Sequence, residues 1–252
     1  MTSVSNAAVG AFLAGNAAAK ARHGMNEAIA RLSTGVRSMY GGDAAGASVA
    51  HTLRADGRSA LMAARNVEDG ISFLQAGEAA LLEIAALNTR LRELAVQDLN
   101  AAFLDANQEA AITAEETQIA AAANAIDTAT LNDTALLTAA IAFVRDMDGA
   151  TTSFGAAADL TIASGVTAVD TQMGKISKAL GSMAAGIAAL KGHQGTLYAL
   201  SANAEAAAAR IQDTDFARSS ANLAKFSILN QSAMAMVSQA NQANQSDLAT
   251  LQ

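Results

Sequence analysis

Residues 173–211 carry a series spaced alternately by three and four: Met173, Ile176, Leu180, Met183, Ile187, Leu190, Gln194, Leu197, Ser201, Ala204, Ala208 and Ile211. Only Gln194 and Ser201 break its apolar character. The spacing averages about 3.5 residues, the period of a helix packed along one seam against another helix. At about 1.5 Å per residue the stretch predicts a helix roughly 58 Å long, which needs equally long partners from this chain or from other copies.

The rest of the chain predicts those partners. A first helix is expected over residues 2–38, with Phe12, Leu13, Met25, Ile29, Leu32 and Val36 on its apolar side. Gly41-Gly42-Asp43 breaks it, and Asp43 is placed to cap a second helix whose third residue is Gly46. That helix, over residues 44–100, carries the stripe Val67, Ile71, Leu74, Leu81, Ile84, Leu87, Leu91 and Leu94. A third, over 105–130, repeats Ile112, Ile119 and Ile126 on one face. Residues 131–170 are richer in Thr, Gly and Asp. There Ile141-Ala142-Phe143-Val144 reads as a strand, Asp146-Met147-Asp148-Gly149 as a turn and Leu160-Thr161-Ile162 as the partner strand, the single β element expected. Beyond the long helix, Asp213-Thr214-Asp215 interrupts the phase. A last helix then carries Leu223, Phe226, Asn230, Ala233, Val237, Ala240, Asn244, Asp247 and Leu251 in steps of three and four. Polar residues in such a seam weaken a helix pair but select its register and partner. The expected fold is mainly α: a long antiparallel helical coiled-coil bundle with a small β-hairpin in mid-chain. Residues 1–42 and 212–252 would pair as terminal helices, and residues 43–211 would form a helical rod with the hairpin near 141–162.

Composition sharpens this picture. The chain of 252 residues contains no Pro, the residue that breaks helix interiors at about 3 kcal/mol. About a quarter of it is Ala, the best helix former and small enough for close helix approach. Aromatic residues are only 4% and Trp is absent, so a large globular core is not expected. The absence of Cys excludes disulfides, thiolate zinc sites and a Cys nucleophile. A formal charge of −7 argues against nonspecific nucleic-acid binding. No uninterrupted apolar window of about 18 residues marks a membrane span. Residues 1–20 lack the basic start of a Sec-type signal peptide, so export would need another route.

Candidate chemistry is sparse. His23, His51 and His193 are too scattered for a zinc site. Gly41-Gly42-Asp43-Ala44-Ala45-Gly46 lacks the Lys and Ser/Thr of a phosphate loop and reads as a turn. Glu115 and Glu116 are neighbours on a helix and point about 100° apart, as on a solvated face. No nucleophile has a placed base, so no catalytic, cofactor or metal residues are assigned. Met183, Met234 and Met236 suit adaptable packing. Asn132-Asp133-Thr134 and Asn230-Gln231-Ser232 match an N-glycosylation pattern, read as coincidence.

Several segments resemble bacterial flagellin, in the family's order. They are Arg31-Leu32-Ser33-Thr34-Gly35-Val36-Arg37, Asp43-Ala44-Ala45-Gly46, Asn66-Val67-Glu68-Asp69-Gly70-Ile71-Ser72, Arg90-Leu91-Arg92-Glu93-Leu94-Ala95-Val96-Gln97, Arg210-Ile211-Gln212-Asp213-Thr214-Asp215-Phe216-Ala217 and Ala240-Asn241-Gln242. The likeness spans residues 28–140 and 171–252. It departs at residues 1–6, at Leu131-Asn132-Asp133, where the family has Phe-Asn-Gly, and at the closing Leu251-Gln252. With so short a middle, it implies a minimal subunit holding only the two inner, filament-forming domains.

The resemblance implies a structural protein of the extracellular flagellar filament, a homopolymer for swimming motility and not an enzyme. Subunit packing is then expected at Ile29, Leu32, Val36, Leu223, Phe226, Ala233 and Val237. It also implies export through a flagellar type III apparatus with a chaperone on the C-terminal helix. Arg90, Leu94 and Glu115 match family residues that contact the host innate receptor for flagellin. Alternatively, Leu94 continues the apolar stripe and Arg90 pairs with a helix neighbour. The uncharged run 239–246 reads either as a soluble helical end or, by resemblance, as lining of the filament's axial channel. Rival readings are a hook–filament junction protein of the same superfamily and a secreted helical surface adhesin. Loss of a junction protein would leave filaments that detach, and an adhesin would bind ligand as a monomer.

Overall fold

The computed structural model describes residues 2–37, 43–137, 140–144, 146, 148–155, 160 and 162–249. Gly41, Gly42, Met147, Thr161, Leu251 and Gln252 lie outside them, as does the Asp247 side chain. Among the described residues there are five helices: α1 (Thr2–Thr34), α2 (Ala44–Asp98), α3 (Ala106–Asp127), α4 (Val166–Gln212) and α5 (Phe216–Ala249). A 3-10 turn, Ala101–Phe103, links α2 to α3.

Each boundary has a local cause. α1 stops four residues before the expected end because Gly35 turns left-handed at φ 70°, and its N–H donates to Arg31 O. This is the C-terminal cap glycine supplies without steric cost. Asp43 caps α2 as expected, its carboxylate accepting from Gly46 N at 2.8 Å. Asp105 begins α3 with a reciprocal box: it accepts from Asn107 N and Gln108 N, and the Gln108 side chain accepts from Asp105 N. Asp215 caps α5 through Arg218 N at 3.0 Å.

The chain divides into two units, Met1–Arg54 with Ala204–Gln252, and Ala55–Asn203. In the second, α2 and α4 run antiparallel. Leu74 approaches Gly186, Met183 approaches Gly77, and the Asn88 amide donates to Val169 O. The stripe read from α2 is turned inward, from Val67 to Leu94, with Leu87 partly covered. Ile112 of α3 is buried, and Ile119 and Ile126 pack against the same core. None of the residues in the long seam of α4 is exposed. α2 has a window apolar enough, by length and composition, to cross a membrane. The stripe from Val67 to Leu94 is packed in the core, while Val49, Met62, Leu82 and Val96 are exposed and charges such as Arg58, Glu68 and Glu83 lie elsewhere on the helix.

The β structure departs from expectation in two places. β3 (Ile141–Val144) pairs antiparallel with β4 (Thr151–Phe154), not with 160–162. Asp146 closes the connection by accepting from Asp148 N and Ala150 N, and Gly149 takes φ 82°. Leu160 and Ile162 are instead buried with α2 and α4. A second hairpin, β1 (Thr130–Leu131) with β2 (Thr134–Ala135), was not expected. Its two-residue loop places Asn132 and Asp133 at φ 52° and 59°. Asn and Asp tolerate that left-handed geometry, and it suits the twist of a tight hairpin.

Candidate functional site

The first unit pairs α1 with α5, and its contact face is made of small residues. Ala18, Ala21, Ala28 and Ala233 are buried. At Gly24 the helices come so close that a Cβ would lie 2.6 Å from the Phe226 ring. The pair is antiparallel: Arg22 reaches Met234 Sδ, and farther along Val36 bridges to Asp213. Small side chains let backbones approach, but they bury little apolar area apiece.

Several large apolar residues of this unit are exposed. Phe12 is 70% exposed and Leu13 62%, contrary to the expectation that both line the packed side of α1. On α5, Ile228 is 65% exposed, and Leu229, Met234 and Met236 are also open. An apolar groove of about 550 Å³ runs between Leu13, Ala17 and Ala21 of α1 and Phe226, Leu229 and Met236 of α5. Uncovered apolar surface of this kind marks an interaction face. Covering one such side chain fully is worth about 1.5–3 kcal/mol. The seam of α5 also holds Asn230 and Asn244, each with an enclosed amide oxygen that has no hydrogen-bond partner.

Of the residues expected to pack between subunits, Ile29 is exposed, and Leu32, Val36, Leu223, Phe226 and Val237 are half-buried. Ala233 is covered by the chain's own α1–α5 contact. Val9, Ile228 and Met236 are exposed too and were not among the residues expected to pack between subunits. Their signal was the presence of large residues off the seam.

On the second unit, Arg90 and Glu115 meet. Arg90 Nη2 lies 2.7 Å from Glu115 Oε1, Nε donates to the same oxygen at 2.9 Å, and Nη1 donates to Glu93. Hydrogen bonds to Glu115 and then Glu93 raise the guanidinium pKa above its usual value. Leu94 does not join them at the surface: it is 1% exposed and part of the α2 stripe. The neighbouring Glu116 is half-buried rather than solvated, and burial, then the nearby Asp98, raise its pKa. Among the described residues no group of three metal-ligating side chains occurs. In the run 239–246, Gln239, Asn241, Gln242, Gln245 and Ser246 are exposed, while Ala240 and Asn244 are half-buried.

Comparison with known proteins matches both the N-terminal and the C-terminal part of the chain. Residues 6–142 match the model of the bacterial flagellin N-terminal helical region, and residues 166–251 that of the C-terminal helical region. A flagellin of Halalkalibacterium halodurans is 32% identical, covering 89% of this chain and 91% of its own length. A flagellar filament core protein of Brachyspira hyodysenteriae is also 32% identical, over 90% and 92%. A flagellin of Treponema pallidum is 30% identical, over 88% and 91%.

Proposed function

The chain belongs to the bacterial flagellin family, and on that premise we propose how its structure performs the family's work. It is a structural subunit of the extracellular flagellar filament, it polymerises with other flagellin subunits, and its family is not enzymatic. The proposal concerns which parts assemble. α1 and α5 form the inner core of the filament. The exposed apolar residues of α1 and α5 carry this reading, since Phe12, Leu13 and Ile228 are open to solvent among the described residues. Neighbouring subunits cover them in the polymer, together with Ile29, Leu32 and Val36, and the groove between the helices accepts their side chains. The outward, uncharged polar residues of 239–246 then line the axial channel, where they neither hold unfolded apolar segments nor trap charged ones.

Before assembly the same faces need protection. An export chaperone covers the apolar side of α5 at Ile228 and Met236, and the chain passes unfolded through the type III apparatus. With no Cys and no Pro, neither disulfides nor slow prolyl isomerisation delay that passage or refolding beyond it. For a host innate receptor the accessible charges are Arg90 and Glu115. Leu94 supports them from beneath by fixing the helix they stand on.

The double variant Phe12→Ser with Ile228→Ser tests the reading. Both side chains project away from the α1–α5 contact, so the variant keeps the helicity of the wild-type monomer. It should lose sedimentable polymer under conditions that assemble the wild type. Unchanged polymer yield and length would overturn the assignment of these faces.

A further inference from the structure

The chain has no Cys, so the sulfur open to oxidation is that of its nine methionines. The fold sorts them. Met183 is fully buried in the α2–α4 core, and Met25 and Met173 are half-buried. Met62, Met234 and Met236 are open, and Met236, at 60%, is the most exposed of the described methionines.

Met234 and Met236 stand two residues apart on α5, about 200° apart around its axis, and their surroundings differ. The Met234 sulfur accepts from Arg22 Nη2 of α1 at 3.4 Å. Met236 stands on the wall of the apolar α1–α5 groove, with Leu13, Ala17, Phe226 and Leu229. Two polar residues share that wall. The Ser232 hydroxyl already donates to Leu229 O, and Lys20 is exposed to solvent. An acceptor placed at the Met236 sulfur would therefore be met by water while the groove is open, and by almost no donor once it is covered.

We propose that Met236 is an oxidation site that governs assembly: a peroxide converts it to the sulfoxide, and the sulfoxide bars the groove to a neighbouring subunit. The inference rests on the reading that neighbouring subunits cover this groove. In the reaction a sulfur lone pair attacks one peroxide oxygen. The S–O bond forms, the O–O bond breaks and the second oxygen leaves as water with both protons, so sulfur loses the two electrons that peroxide gains. The product carries a strong hydrogen-bond acceptor on a side chain that was apolar. Covering the groove strips water from that oxygen and leaves only the Lys20 ammonium to replace it, whose own burial is costly. At Met234 the same change is tolerated, because the oxygen is added beside a guanidinium that already donates to that sulfur.

The test treats the purified full-length monomer with hydrogen peroxide, removes the peroxide and scores each methionine by peptide mass spectrometry before polymerisation. Met236 should gain one oxygen while Met183 stays unmodified, and helicity by circular dichroism should not change. The critical concentration for polymerisation should rise roughly tenfold or more, the loss expected when a polar group is covered without a hydrogen bond. Met236→Leu, which conserves side-chain volume, should assemble as well after peroxide as before it, whereas Met234→Leu should remain sensitive. Oxidised wild type that assembles at its untreated concentration, or Met236→Leu that peroxide still inhibits, would overturn the proposal. Preformed filaments separate this outcome from the reading beneath it. Protection of Met236 there supports a covered groove, and oxidation as fast as in the monomer would overturn the covered groove itself.

Discussion

Replacing Ile187 by Asp should abolish the packing of α2 on α4. Ile187 is 8% exposed and belongs to the core formed with Ala60, Ala64, Val67, Ile71, Leu74 and Leu190, under Phe143 and Phe154 of the hairpin. Removing most of an Ile side chain from such a site costs about 2–5 kcal/mol. An unpaired carboxylate left there adds a desolvation cost of roughly several kcal/mol, which it can lessen only by taking up a proton. Together these approach the roughly 5–15 kcal/mol that holds an ordinary domain folded. Ala188 is exposed on the same helical turn and makes the matched control. Ala188→Asp should shift stability by no more than about 0.5 kcal/mol. Urea unfolding followed by circular dichroism, with polymer yield as a second readout, separates the two. Ile187→Asp should lose the cooperative transition and its filaments, and Ala188→Asp should keep both. Equal unfolding midpoints would refute the register assigned to α4.

Three further outcomes follow from particular contacts. Gly24→Leu places a side chain where a Cβ alone would lie 2.6 Å from Phe226. Overpacking of this kind costs about 1–3 kcal/mol, and amide exchange should quicken in α1 and α5 while the α2–α4 core keeps its protection. A short peptide tag inserted after Gly149, in the β3–β4 connection, should leave motility and filament length unchanged, because that turn is exposed and open. Glu116 has its pKa raised in the folded chain, so its contribution to stability falls as pH rises through the region above 4.5. Glu116→Gln should therefore be slightly more stable than the wild type at pH 7, by roughly a few tenths of a kcal/mol because solvent screens the group, with no difference at about pH 3.

The sequence was most legible where large residues form the buried seam. In α4, Ile176, Met183, Ile187, Leu190 and Leu197 repeat at three and four, and all are buried. The Asp43 cap was legible because a side-chain oxygen three residues before Gly46 has one obvious N–H to satisfy. α1 misled because its buried face is Ala18, Ala21 and Ala28, which hydrophobic periodicity barely registers in a chain this rich in Ala. Its conspicuous Phe12 and Leu13 face outward. The partner of β3 was misassigned for the reverse reason: Leu160 and Ile162 are apolar enough for a strand but are taken by the core, whereas polar Thr151-Thr152-Ser153 pairs by backbone bonds. Asn132-Asp133 was a readable hairpin signal between Thr130-Leu131 and Thr134-Ala135, and it went unread. At Arg90 and Glu115 the residue types were evident in the sequence, but their pairing across α2 and α3 was not. The burial of Leu94 follows from the α2 stripe that was read for other reasons.

The most direct measurement is a helical reconstruction by electron cryomicroscopy of filaments assembled from the purified full-length protein. It should show α1 and α5 nearest the filament axis, with Phe12, Leu13 and Ile228 covered by neighbouring subunits and the 239–246 polar face toward the channel. Failure to form filaments, or filaments in which those apolar side chains remain open to solvent, would contradict assembly through the terminal helices.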